Sequence, residues 1–250
     1  MCRIIAVANQ KGGVGKTTTA VNTCSALHAC GKRTLLCDFD PQANASSGLG
    51  VYRDAERKSV YHGLIGEAQA GELIVSTPYG DVLPSGIELA GAEIELVGME
   101  KRERALAALL ESVRGGYDFI LIDCPPSLGL LTLNALVAAD TVLAPIQCEY
   151  YALEGLSQLM QTIRTVKKAY HPALKLEGIL LTMFDGRTNL SQQVVQEVKR
   201  HFGAQVFPVV IPRSVRLSEA PSYGQPINVY DRASKGAKAY EKLANCLIEG

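Results

Sequence analysis

Short apolar runs recur along the chain at residues 4–8, 34–38, 119–124, 141–146 and 178–184. They are continuous rather than alternating, so each predicts a strand covered on both faces. Strands of that kind build a mainly parallel sheet with helices on either side. Between the first two runs, Ala20, Val21, Cys24, Leu27 and His28 share one helical face and Gly31 follows as a stop, which predicts one strand–helix–strand unit. Further helices are predicted at about residues 93–113, 129–139, 153–169, 190–202 and 235–248. Residues 48–91 are glycine-rich with short mixed segments and predict surface excursions only. The expected fold class is α/β, doubly wound, in one domain over 1–250.

Composition narrows this picture. With 250 residues, 47% hydrophobic and 20% charged, the chain can bury one large core. Seven cysteines, an odd number with no C-x-x-C pair, argue against a disulfide framework or a zinc site and for reduced cytosolic thiols. Neither a signal peptide nor an apolar run of about 18 residues is present, so a cytoplasmic protein is expected. Net charge is zero, yet residues 164–250 hold 13 Lys/Arg against 7 Asp/Glu, and the remainder 12 against 18. A basic final third points to an anionic partner such as nucleic acid; a solvated helix face is the plainer alternative.

The chemistry concentrates after the first run, in "KGGVGKTTT", residues 11–19. Gly12, Gly13 and Gly15 can take backbone angles closed to other residues, so that successive N–H groups around Val14 converge on phosphate oxygens. Lys16 adds a point charge, the Thr17 hydroxyl can ligate Mg²⁺, and the helix starting there, with Thr18 in its first turn, adds its positive end. One feature departs from the ordinary G-x-x-x-x-G-K-[ST] spacing: Gln10 stands where glycine is expected, and a second lysine, Lys11, follows it. Asp38 and Asp40 in "DFDPQANAS" and Asp123 in "DCPPS" end predicted strands, where parallel sheets place ligands. Asp123 fits a Mg²⁺-holding aspartate, Asp40 one that touches the metal or orients an attacking water, and Asp38 either a turn cap or a functional carboxylate.

"KGGVGKTTT", "DFDPQANAS" and "DCPPSLGLLTLNAL", in that order and spacing, resemble the deviant Walker A P-loop ATPases of the ParA/MinD superfamily. "LTMFDGRTNLSQQVV" and "IPRSVRLSEAPSYGQPI" extend the likeness to the short, Soj-type ParA partition ATPases across almost the whole chain. The resemblance implies ATP and Mg²⁺ as ligands and an ATP-bound homodimer, in which Lys11 reaches the phosphates of the other protomer and Gly12 lies at the close approach. It implies slow hydrolysis with Asp40 positioning water, and stimulation by a ParB-type centromere-binding protein. Non-specific double-stranded DNA would be contacted by Arg187 and Arg216, which places the protein on the nucleoid. Pro212 and Arg213 would lie near the adenine. Only Met1 and Cys2 precede Arg3, so the DNA-reading N-terminal domain of longer ParA proteins is expected to be missing. Whether the cargo is a chromosome, a plasmid or another assembly stays open.

Rival members of the superfamily make different demands. A MinD-like membrane-positioning ATPase ends in a basic amphipathic helix, whereas here Tyr240, Leu243, Ala244 and Leu247 form a stripe suited to core packing, so no membrane partner is expected. An iron–sulfur reductase needs cysteines at a dimer seam, for which Cys124 and Cys148 are the candidates. A tyrosine kinase needs a tyrosine-rich tail, and the ten tyrosines are scattered. A metabolic ligase or synthetase needs a further polar substrate cluster. His28, His62, His171 and His201 are isolated from one another, and the tyrosines of "EYYALEG" read as helix-start packing, with dimer contact as the alternative.

Overall fold

The computed structural model describes residues 2–127 and 129–250. Eight strands form one sheet: β1 (Arg3–Val7), β2 (Thr34–Asp38), β3 (Val75–Thr77), β4 (Gly80–Leu83), β5 (Phe119–Asp123), β6 (Thr141–Gln147), β7 (Lys175–Phe184) and β8 (Val206–Pro212). Their spatial order is β3-β4-β2-β5-β1-β6-β7-β8. Every pairing is parallel except β3 with β4. All five predicted strands lie in this sheet, and β2 and β5 are buried at every position, as continuous apolar runs require. Two core layers flank the sheet: Ile4, Ala6, Leu35 and Ile122 point to one, and Ile5, Val7, Leu36 and Leu121 to the other. Strand periodicity thus splits alternate residues between two helical coats.

Helix α1 (Lys16–Ala29) buries Ala20, Val21, Cys24 and Leu27 and leaves His28 exposed. Gly31 follows with φ 78°, a left-handed stop that a glycine takes at no steric cost. The Lys235–Glu249 helix lies against α1 and β8, with Tyr240 1% exposed and Leu243 and Leu247 fully buried. Its apolar stripe is therefore core.

Three expectations need correction. Residues 48–91 are not only surface excursions, because they supply β3 and β4, and Val60, Leu64, Leu73, Val82, Leu83 and Leu89 are buried. β4 has four residues and β3 three, too few for a periodic signal. A single helix over 93–113 does not form: helices Leu89–Glu95 and Ala105–Glu111 are separated by 3₁₀ turns and by Lys101 at φ 56°. β8 lacks a clear strand signal because Pro208 and Pro212 punctuate "VFPVVIP"; proline removes a ladder donor, which an edge strand such as β8 tolerates best.

Candidate functional site

The site forms where β1, β2 and β5 end together. Register sets Val7 beside Asp123 and Asp38 beside Asp123, so the loop after β1 and two buried carboxylates converge at the carboxyl edge of the sheet. Gly13 and Gly15 have φ of 74° and 89°, which a side chain would resist at a cost on the order of 1–3 kcal/mol. A Cβ at Gly12 or Gly13 would meet no atom within 4 Å, so within one copy of the chain backbone angle constrains Gly13 and nothing sterically constrains Gly12.

Gly15 caps α1 in the left-handed conformation with no side-chain hydrogen bond, and no acidic residue lies in the first turn. The first amides of α1 are thus free to meet an anion. Lys16 is 7% exposed, and its Nζ donates to the carbonyl of Lys11 at 3.1 Å. Burial pulls its pKa down, while the charges of Asp123 and Asp40 resist the shift. Outside contacts brace the loop. Thr182 of β7 donates its hydroxyl to Val14 O at 2.8 Å. Asn9 donates to Pro145 O at 2.8 Å and accepts the Lys11 amide at 3.0 Å.

Lys11 occupies a different setting. Its Nζ lies 3.4 Å from Glu149 Oε2, with 39% of the side chain exposed. One lysine is folded into the loop and the other stands at its rim.

Asp123 is fully buried, and neither carboxylate oxygen has a hydrogen-bond partner. Burial first and the charge of Asp38 second push its pKa well above the carboxylate range; the Thr17 hydroxyl and Lys16 favour the charged form, but Thr17 lacks hydrogen-bond geometry toward it. A buried carboxylate without partners is costly unless a cation joins it. Asp38 is equally buried but satisfied: Ser46 donates its amide and its hydroxyl, each at 2.7 Å, and the Asp40 amide donates at 3.3 Å. Burial raises its pKa to about 6 against that bonding. Asp38 thus acts as the anchor of the short Asn44–Gly48 helix, the turn-cap reading of that residue. Asp40 is half-buried, and its Oδ1 accepts the Gln42 amide at 2.9 Å.

Among the described residues no group of three or more His, Cys, Asp or Glu could hold a metal unaided. The donors suit magnesium all the same, because that ion keeps waters and phosphate oxygens and takes only one or two protein ligands. The two orphaned oxygens of Asp123, with Thr17 opening α1, fit such an ion.

Pro212 and Arg213 end β8 and line a cavity of about 330 Å³ with Gly15, Thr18, Met183 and Tyr240. The cavity thus opens directly beside the loop, and Met183 holds a strained φ of 51° in its wall. Arg187 and Arg216 follow the carboxyl ends of the neighbouring strands β7 and β8. Both are exposed and locally paired: Arg187 with Asp185 at 2.7 Å, Arg216 with Glu219 at 3.2 Å and Asp231 at 3.6 Å. Arg216 also lies over the Tyr230 ring, 5.9 Å from its centre.

Burial bears on two secondary readings. Tyr150 and Tyr151 are 78% and 61% exposed and pack edge-on against each other; helix-start packing is wrong for both, because the helix that follows buries Ala152 and Leu156 instead. Cys124 and Cys148 are buried within the chain, and burial pushes both thiols up, Cys148 to about 11. Asn9, Ser46, Glu149 and Thr182 were not singled out from sequence.

Residues 2–176 match a family model described as an AAA domain. The chain is 56% identical over 246 residues to the sporulation initiation inhibitor protein Soj of Bacillus subtilis, covering 98% of this chain and 97% of that protein. It is 55% identical over 249 residues to the chromosome partitioning protein ParA of Myxococcus xanthus, covering 99% and 88%. A solved structure named cobyrinic acid a,c-diamide synthase from Mycobacterium smegmatis, with bound ADP and magnesium, is 41% identical with a TM-score of 0.88, covering 100% of this chain and 95% of that one. With its two-lysine loop, its row of strand-end carboxylates and these full-length relatives, the chain belongs to the Soj/ParA family of chromosome-partitioning proteins within the ParA/MinD-type ATPases.

Proposed function

We propose that the protein is an ATP-driven partition switch, a single ATPase domain that pairs as a homodimer around ATP and holds duplex DNA without reading its sequence. Slow hydrolysis stimulated by a ParB-type partner releases it, and it works in the cytoplasm on the nucleoid. The observation behind this reading is the contrast between the two lysines: Lys16 is buried in its own loop, whereas Lys11 stands at the rim, paired with Glu149 and partly exposed. A cation at the rim can serve phosphates held by a second copy, which makes pairing depend on the triphosphate.

In this reading the amides from Gly12 to Thr18 and Nζ of Lys16 bind the phosphates. Pro212 and Arg213 flank the base in the 330 Å³ cavity. Thr17, Asp123 and Asp40 would hold a magnesium ion, which would supply Lewis-acid neutralisation of phosphate charge. Asp40, half-buried with one oxygen tied to Gln42, keeps the other free to orient water. Arg187 and Arg216 exchange their carboxylates for DNA phosphates, a contact that gives affinity but no sequence reading.

DNA retention with ADP, ATP and a slowly hydrolysed analogue, across several salt concentrations, tests the switch. Retention with triphosphate alone supports it, and equal retention with ADP overturns it. A lone subunit by sedimentation in saturating Mg²⁺·ATP, even for Asp40→Ala, would overturn the dimer.

The 41%-identical structure carries a synthase name and supplies a second reading, ATP-driven amide formation. Phosphate release from ATP and DNA with no carboxylic acid added distinguishes the two. Membrane attachment through the Lys235–Glu249 helix is disfavoured because its apolar face is already buried.

A further inference from the structure

We infer that Arg53 is a positioning residue for hydrolysis: its guanidinium fixes the turn Asp40 to Ala43 and so aims the Asp40 carboxylate. The inference rests on the reading of Asp40 given above. The turn is tight: Gln42 N donates to Asp40 Oδ1 and Ala43 N to Asp40 O, both at 2.9 Å. It ends on Ala43 at φ 53°, with the alanine 1% exposed. A left-handed alanine is a strained conformation, kept only where surrounding contacts enforce it.

Three of those contacts converge on Asp38, from the Asp40 amide and from the amide and hydroxyl of Ser46. They pin the segment at its ends. The middle is held from outside. Arg53 Nη2 donates to Gln42 O at 2.7 Å and to Pro41 O at 3.4 Å, the two carbonyls at the middle of the turn.

Arg53 makes no ion pair among the described residues, so its charge is directed at the turn. The nearby cations are occupied elsewhere. Arg57 pairs with Asp54 and donates to Tyr52 O, and Lys58 donates to Glu67 O. Because water can satisfy Pro41 O and Gln42 O, the contact is a matter of geometry more than of solvation. Loss of Arg53 therefore leaves the fold and the phosphate loop intact and lets Asp40 swing.

The test compares Arg53→Ala, Arg53→Lys and Asp40→Ala with the unaltered chain in Mg²⁺·ATP and duplex DNA. Arg53→Ala is expected to lower kcat about tenfold with KM within about twofold, because misplacing a catalytic group affects the reacting state more than binding. Hydrogen exchange gives a readout independent of turnover: the Ala43 amide is expected to exchange about tenfold faster while β5 is unchanged. Arg53→Lys, which keeps a donor, recovers at least part of both.

Unchanged kcat and exchange in Arg53→Ala overturn the inference. So does a fall in kcat matched by a rise in KM and a lower Tm, the pattern of a general structural role. If Asp40→Ala is inert and Arg53→Ala fully active, only this inference fails. If Asp40→Ala turns over normally, the hydrolytic reading of Asp40 fails and takes this one with it.

Discussion

The phosphate loop and the basic edge carry the same charge in opposite physical settings. Lys16 and Asp123 are buried, and Asp123 lacks any hydrogen-bond partner, so each depends on a ligand that the fold has left room for. Arg187 and Arg216 are exposed and already paired with carboxylates of their own chain. Under the proposed function their worth would lie in exchanging one screened partner for another. The buried site should respond to substitution steeply and independently of salt, and the edge weakly and in proportion to salt.

Lys16→Ala should give the largest effect. Removing a buried cation from several phosphate oxygens costs about 3–4 kcal/mol of nucleotide affinity, roughly two to three powers of ten, measurable by equilibrium binding of a fluorescent ATP analogue. A loss under about tenfold would mean that the buried site behaves like the edge.

Asp123→Asn sharpens the comparison, because stability and activity should move apart. Hydrolysis should fall at least about a hundredfold, while the ligand-free protein gains about 1–2 kcal/mol near neutral pH in denaturant titrations. The same logic fixes a pH dependence. Asp38 titrates at about 6 in the folded protein against an ordinary 3.8, and Asp123 is raised as well. The folded state therefore keeps protons that the unfolded chain has lost. The stability from Asp38 is complete below about pH 4 and disappears as pH rises through about 6, and that from Asp123 likewise declines from about pH 4 until pH passes its own raised value. Tm of the ligand-free protein should decline over that interval, and Asp123→Asn should flatten the decline.

At the edge, Arg216→Ala should leave nucleotide affinity intact and flatten the log–log salt dependence of DNA binding by about two units, one contact from each copy at about 0.9 per phosphate. An unchanged slope at matched ATP occupancy removes Arg216 from the interface. The smallest effect is expected from Arg187→Ala on folding, a Tm change of no more than about 2 °C, since the Arg187 side chain is 89% exposed in its pair with Asp185 and such surface pairs add little.

The five strands found from sequence are those whose apolar runs are long enough to be covered on both faces. The strands that escaped are β3 and β4, of three and four residues on either side of a tight turn, and β8, interrupted by prolines. In the site, local signals sufficed for Gly13, Gly15, Lys16 and Asp123, because a turn and a strand end dictate residue type within a few positions. Other parts had no such signal. Glu149 meets Lys11 across 138 positions and Thr182 meets Val14 across 168, separations that only the strand order closes. The donors of Asp38 come from Ser46, eight positions on, beyond the reach of any local cap pattern.

The outer strands of the sheet also bear on how copies of this chain meet. One margin ends in β3, three residues long, and the other in β8, where Pro208 is exposed and Pro212 closes the strand. Neither offers a long row of free amides to a neighbouring backbone, so both resist strand-by-strand zipping into fibrils. Copies of this chain can thus crowd one another and still come apart.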